Sequence, residues 1–140
     1  MTTMKNARLR NRILAIIYDS LIAFFITVII IMVLQFAISQ GEEIPADSYI
    51  MLVLKNFWVL ISFFYFGYYW TKRGQTPGMK VWKIKAITNE GGLMTWGGAL
   101  KRYVFSLLGI GLLWIIIDKD RLALQDKLSG TRLINVVSIT

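Results

Sequence analysis

Apolar residues along the chain gather into three long blocks, and polar residues punctuate them. Ile13–Ile38 is a run of 26 residues interrupted by a single charge, Asp19. At 1.5 Å rise per residue it exceeds the roughly 30 Å hydrocarbon core of a bilayer, so it predicts a spanning helix over 13–38. Ile50–Trp70 predicts a second, its one charge (Lys55) near an end where it can snorkel and Tyr68, Tyr69 and Trp70 crowding the other as interface anchors. A cleavable signal peptide is a poor reading of the first run, which is far longer than an h-region and carries an acid in its first third.

The third block is shorter. Lys101 and Arg102 interrupt it, leaving Tyr103–Ile117 as 15 uncharged residues that reach only about 22 Å as a helix. Such a segment predicts a re-entrant or interfacial element over 99–117, with Gly109 and Gly111 as its bend. Between the blocks, Gly74–Gly78 reads as a turn cluster in which Pro77 and Gly78 stop any helix. Lys80–Ile87 then alternates, with Trp82, Ile84 and Ala86 on one face and Lys83 and Lys85 on the other, as a half-buried strand does. Asn89–Gly92 reads as the next turn. Lys119–Leu128 reads as a short amphipathic helix offering Leu122, Ala123 and Leu128 for packing, and Arg132–Ile139 as a second strand able to pair with the first.

Charge orients these elements. Arg8, Arg10 and Arg12 precede the first run with no acid, Glu42, Glu43 and Asp47 fill the loop after it, and the loop over 71–98 is basic again. The positive-inside rule makes the N-terminus and the 71–98 loop cytoplasmic. If the third block dips and returns, the tail over 118–140 is cytoplasmic too, and every basic residue except Lys55 shares one side; if it crosses, Lys119, Arg121, Lys127 and Arg132 are stranded outside. The count favours the hairpin. The whole of 1–140 thus reads as one domain: an all-α membrane protein of two transmembrane helices, a third short apolar segment and a small cytoplasmic β element.

Composition agrees and narrows the chemistry. The 140 residues are 56% hydrophobic and 17% charged, against about 45–50% and 25% in ordinary soluble domains, and the net charge is +8. The basic residues are dispersed at membrane edges, which suits anionic lipid on the cytoplasmic face rather than nucleic acid. The chain contains no cysteine and no histidine. Disulfides, Cys/His metal sites and histidine-based triads are excluded, no Walker-type loop occurs, and no nucleophile–base pair suggests an enzyme or cofactor.

Asp19 is the most informative residue, because a carboxylate within a spanning helix is costly and faces a partner or water. One reading makes it a proton- or cation-binding site continued by Thr27, two turns along the same face. The other makes it a structural acid locked to a cation, with Arg102 the direct candidate, Lys101 the alternative, and Arg12 two turns away. Asp126 is expected to pair with Arg12 or to cap a helix, while Asp118 and Asp120 read as solvated. The aromatic second helix suits lipid and helix packing better than ligand stacking.

Taken together, Arg12-Ile-Leu-Ala15-Ile-Ile-Tyr-Asp19, Gly74-Gln-Thr-Pro-Gly78-Met-Lys-Val-Trp82, Gly109-Ile-Gly111-Leu-Leu-Trp114-Ile-Ile-Ile-Asp118 and Asp126-Lys-Leu128-Ser129-Gly130-Thr131 resemble, in order and spacing, the RDD family of membrane proteins. The resemblance covers roughly 10–135. It implies a bacterial, multi-pass inner-membrane protein whose name-giving positions are Arg12, Asp19 and Asp126. Gln125 stands where members often carry histidine, which removes a histidine proton relay from that position. Transport of unidentified ligands has been proposed for the family, and cation/proton antiport for some members. Two expectations follow: an accessory or scaffold component held by an Arg12, Asp19, Arg102 and Asp126 network, or a transport component working through Asp19. Two spanning helices cannot enclose a pore alone, so the transport reading needs a homo-oligomer or a larger complex.

Overall fold

The computed structural model describes residues 6–107, 114–118 and 122–136. Two long helices dominate it, α1 (Leu9–Ser39) and α2 (Tyr49–Lys72). Both are long and apolar enough to cross a membrane. Both are mostly unburied, and Leu21, Phe24, Phe25, Ile29, Met32 and Phe36 all lie exposed along α1. The helices exceed the predicted runs at both ends, 9–39 against 13–38 and 49–72 against 50–70, since polar residues beside an apolar run keep helical hydrogen bonding once it is established. Ser48 caps α2, its hydroxyl accepting from the Met51 N–H at 3.2 Å.

The smaller elements are α3 (Pro77–Val81), β1 (Ile84–Thr88), α4 (Trp96–Leu107), α5 (Trp114–Ile117), α6 (Leu124–Ser129) and β2 (Thr131–Asn135). Here the structure corrects several expectations. Pro77 starts a helix instead of stopping one: it occupies the first turn, where its missing N–H costs nothing, and Thr76 caps Met79. That helix takes over the first half of the expected 80–87 strand, so β1 begins at Ile84. Lys101 and Arg102 interrupt the apolar block without ending the helix, which starts earlier than the expected 99: α4 runs through both, with Arg102 turned inward and Lys101 outward. The tail strand spans 131–135 and the tail helix begins at Leu124, with Leu128 exposed. Gly109, Gly111, Lys119, Asp120, Arg121 and the end of the expected strand from Val137 lie outside the described residues.

Strands β1 and β2 pair antiparallel, with Ile84 opposite Asn135, Ala86 opposite Leu133 and Thr88 opposite Thr131. The chain ahead of α1 adds to this sheet, the Ala7 N–H donating to the Leu133 carbonyl at 2.8 Å. The core sits against the sheet, built on Ile84, Ala86, Met79, Trp70, Ala99 and Leu133. The start of α1, the end of α2 and both strands are therefore gathered at one end of the helix pair, with the 40–48 loop at the other. Helix α4 packs on α2 at a close approach. A Cβ on Gly67 would lie 2.5 Å from the Trp96 ring.

That approach is testable. Gly67→Ala should lower the stability of the detergent-solubilised protein by about 1–3 kcal/mol through overpacking. Trp96→Ala in the same background should recover part of the loss; thermal unfolding of the wild type and the two variants measures it.

Candidate functional site

Two buried acids organise the polar interior. Asp126 is fully buried at the start of α6 and is shared by two arginines, with Arg12 Nη1 at 2.5 Å from Oδ2 and Arg102 Nη1 at 2.6 Å from Oδ1. It also accepts from the Ala123 N–H at 3.3 Å. Each Arg12 nitrogen is engaged: Nε donates to the Ala7 carbonyl at 3.1 Å and Nη2 to the Leu133 carbonyl at 3.4 Å. One side chain of α1 thus ties the N-terminal segment, α6 and β2. Arg102 bonds through Nη1 to Asp126 and, at 2.6 Å, to the Thr131 hydroxyl, while its guanidinium stacks 5.2 Å from the centre of the Trp70 ring.

Burial alone would raise the Asp126 pKa. The charges of Arg102 and Arg12 and the hydrogen bonds they donate outweigh it and hold the carboxyl below the ordinary 3.8.

Asp19 does not have the cation partner that the structural reading expected. Neither Arg102 nor Arg12 bonds to it, because both are committed to Asp126. Its Oδ1 accepts from the Gly78 N–H at 2.8 Å and from the Tyr65 hydroxyl at 3.3 Å, and its Oδ2 from the Thr76 hydroxyl. The carboxylate of α1 therefore docks on the turn that opens α3, held by neutral donors. The fit requires glycine: a Cβ at Gly78 would stand 2.5 Å from the Ala15 carbonyl oxygen and 2.8 Å from the Asp19 carboxyl. The backbone of α3 comes this near only where no side chain intervenes.

Thr27 is buried two turns beyond Asp19, and both line a cavity of about 810 Å³ bounded by α1, α2 and α4. Asp118, expected to be solvated, instead has a side chain only 6% exposed, 2.5 Å from Lys127 Nζ and accepting from the Leu122 N–H at 2.9 Å. Tyr65, Thr76, Gly78, Thr131 and Trp70 also belong to the site, and the sequence pattern does not single them out for it. The Gly74–Gly78 turn is visible as a motif, but nothing in it announces that its donors serve an acid 59 residues earlier. Among the described residues no group of three or more His, Cys, Asp or Glu side chains could hold a metal.

A family model described as the RDD family matches residues 6–130. No curated protein and no solved structure matches the chain.

The shared carboxylate sets an expected energetic pattern. Asp126→Ala leaves two buried guanidinium groups unpaired and should cost about 3–5 kcal/mol. Arg12→Ala, with Arg102 still on the acid, should cost less, and the double variant should be close to Asp126→Ala alone; simple additivity in thermal unfolding would show that the pair is not coupled. Because the folded pKa is depressed, the contribution of Asp126 is present above its unfolded pKa and is lost as pH falls through the folded value. Acid loss from this group should thus set in only below about pH 4.

Proposed function

The chain belongs to the RDD family, and we propose that it is a multi-pass inner-membrane protein acting as a non-catalytic accessory or scaffold component of a membrane complex. The observation that carries this reading is the engagement of Asp19. Both of its oxygens are taken by groups that fasten α1 to α2 and α3, which is the work of a structural acid. Asp126, through Arg12 two turns earlier on the same face, fastens the start of that helix to α4, α6 and β2. The large lipid-facing surface of α1 is then available for a second copy or a larger assembly. Exposed Arg8, Arg10, Lys72, Arg73, Lys80 and Lys83 lie at the sheet end of the helices, and Glu42, Glu43 and Asp47 at the other. That separation supports a cytoplasmic sheet end resting on anionic lipid. The contact of the N-terminal segment with β2 supports a third segment that returns to the side it left.

A second reading is favoured by one observation: Asp19, Ser20 and Thr27 share the wall of the 810 Å³ cavity. In it, Asp19 exchanges protons for cations within an oligomer.

Asp19→Asn separates the two. It puts an amide N–H₂ against donors and should destabilise the scaffold by about 1–3 kcal/mol. Neutralising Arg102 should bring no rescue, since Arg102 serves Asp126. The wild type in proteoliposomes should move neither Na⁺ nor K⁺ against H⁺. A wild type that exchanges them, with a folded but inactive Asp19→Asn, would overturn the scaffold reading. Topology is checked separately, on a chain without native cysteine. Glu43→Cys should be labelled from outside intact cells, and Leu128→Cys only after permeabilisation.

A further inference from the structure

The cavity has the size of a ligand site and an uneven lining. Along α1 and α2 its walls are mostly apolar, with Ile16, Phe24, Val28, Ile31 and Phe66, and the polar Asp19, Ser20, Thr27 and Ser62 are set among them. At the sheet end stand Arg102, Trp70 and Gln125, all more than nine-tenths buried. Each of the three keeps a buried polar atom that has no hydrogen-bond partner among the described residues: Arg102 Nε, Trp70 Nε1 and Gln125 Oε1. Unmatched polar atoms in such a place are costly and rare. Arg12 differs, since all three of its nitrogens are used. Arg102 is left with the Nε edge of its fork uncommitted, at the sheet end of the cavity it lines.

Charge points the same way. Arg12, Arg102 and Lys55 line the cavity together with Asp19, and Asp126 lies behind the arginines. Lys55 is exposed at the far end of α2, so the local balance is set at the sheet end, where two buried cations, Arg12 and Arg102, share the one carboxylate of Asp126, and Asp19 lies two turns further along α1. The complementary occupant has one negative charge, a planar head able to meet the guanidinium edge, and a long apolar body.

We propose that this cavity binds a single-chain monoanionic amphiphile, a long-chain carboxylate, with its head at Arg102 and its chain running between α1 and α2 towards Trp58. The geometry gives a ruler for testing it. Trp70 and Trp58 both line the cavity and stand 12 residues apart on α2, about 18 Å along its axis. A carboxylate headed at Arg102 carries its chain end past Trp58.

The experiment titrates hexadecanoate brominated at its terminal carbon into the intact protein in maltoside micelles and follows quenching of tryptophan fluorescence. The expected result is saturable quenching that disappears in Trp58→Phe. Unbrominated hexadecanoate should reverse it, hexadecanol should be at least about tenfold weaker, and acetate should have no effect. Ala23→Phe, which fills the cavity away from the arginines, should weaken binding by at least about tenfold while leaving the melting temperature within a few degrees. Hexadecanol competing as well as the acid would reduce the site to a bare apolar groove and overturn the proposal on the wild type alone. So would non-saturable quenching, as micelle partition produces, or saturable quenching retained in Trp58→Phe, which would put the head at the Lys55 end.

Discussion

One carboxylate shared between two guanidinium groups is the constraint from which the rest of the arrangement follows. A buried Asp126 is tolerable only with cations against it, and two cations are tolerable only with the acid between them. Arg12 belongs to the first helix and Arg102 to α4, so satisfying Asp126 sets where both must stand relative to α6. The remaining nitrogens of Arg12 take carbonyls from the N-terminal segment and β2. The sheet edge, three helices and the entry of α1 are thereby fixed by one polar cluster, with the Trp70 ring stacked on its far side.

This matters because the long helices gain little from each other in lipid, where the surroundings are as apolar as the side chains. The packed core lies instead at the sheet end, around Ile84, Ala86, Ala99 and Leu133. Asp19 carries the ordering one step deeper. By fastening to the opening of α3 and to Tyr65, it fixes the rotation of α1 against α2 at a depth where shape complementarity alone is weak. What remains between the helices above it is the cavity.

The two long helices are legible in the sequence because an apolar run of more than about twenty residues suits little besides a bilayer. The pairing of Asp126 with Arg12 is legible because an acid and a base near the same membrane face have strong reason to meet. The same logic misleads at Asp19. It sends a charge to seek a charge, whereas a hydroxyl, a phenol and a backbone N–H satisfy a carboxylate equally well, and the backbone leaves no mark in the sequence. Pro77 reads as a breaker because the residue that makes it a helix starter is the neighbouring Thr76 cap. Lys101 and Arg102 look like one polar interruption, although adjacent residues on a helix point about 100° apart, one outward and one into the core.

The contact between Arg12 and Asp126 joins residues 114 positions apart. At translation rates of about 5–20 residues per second, roughly 6–23 seconds separate the synthesis of the two partners. For that interval Arg12 is without its acid, whereas Asp19, two turns along the same helix, waits only until Thr76 and Gly78 are made. A chain that stalls or is truncated before α6 therefore leaves Arg12 and Arg102 without the carboxylate they share. The last-made helix thus completes the charge balance on which the first helix, made at the start, depends.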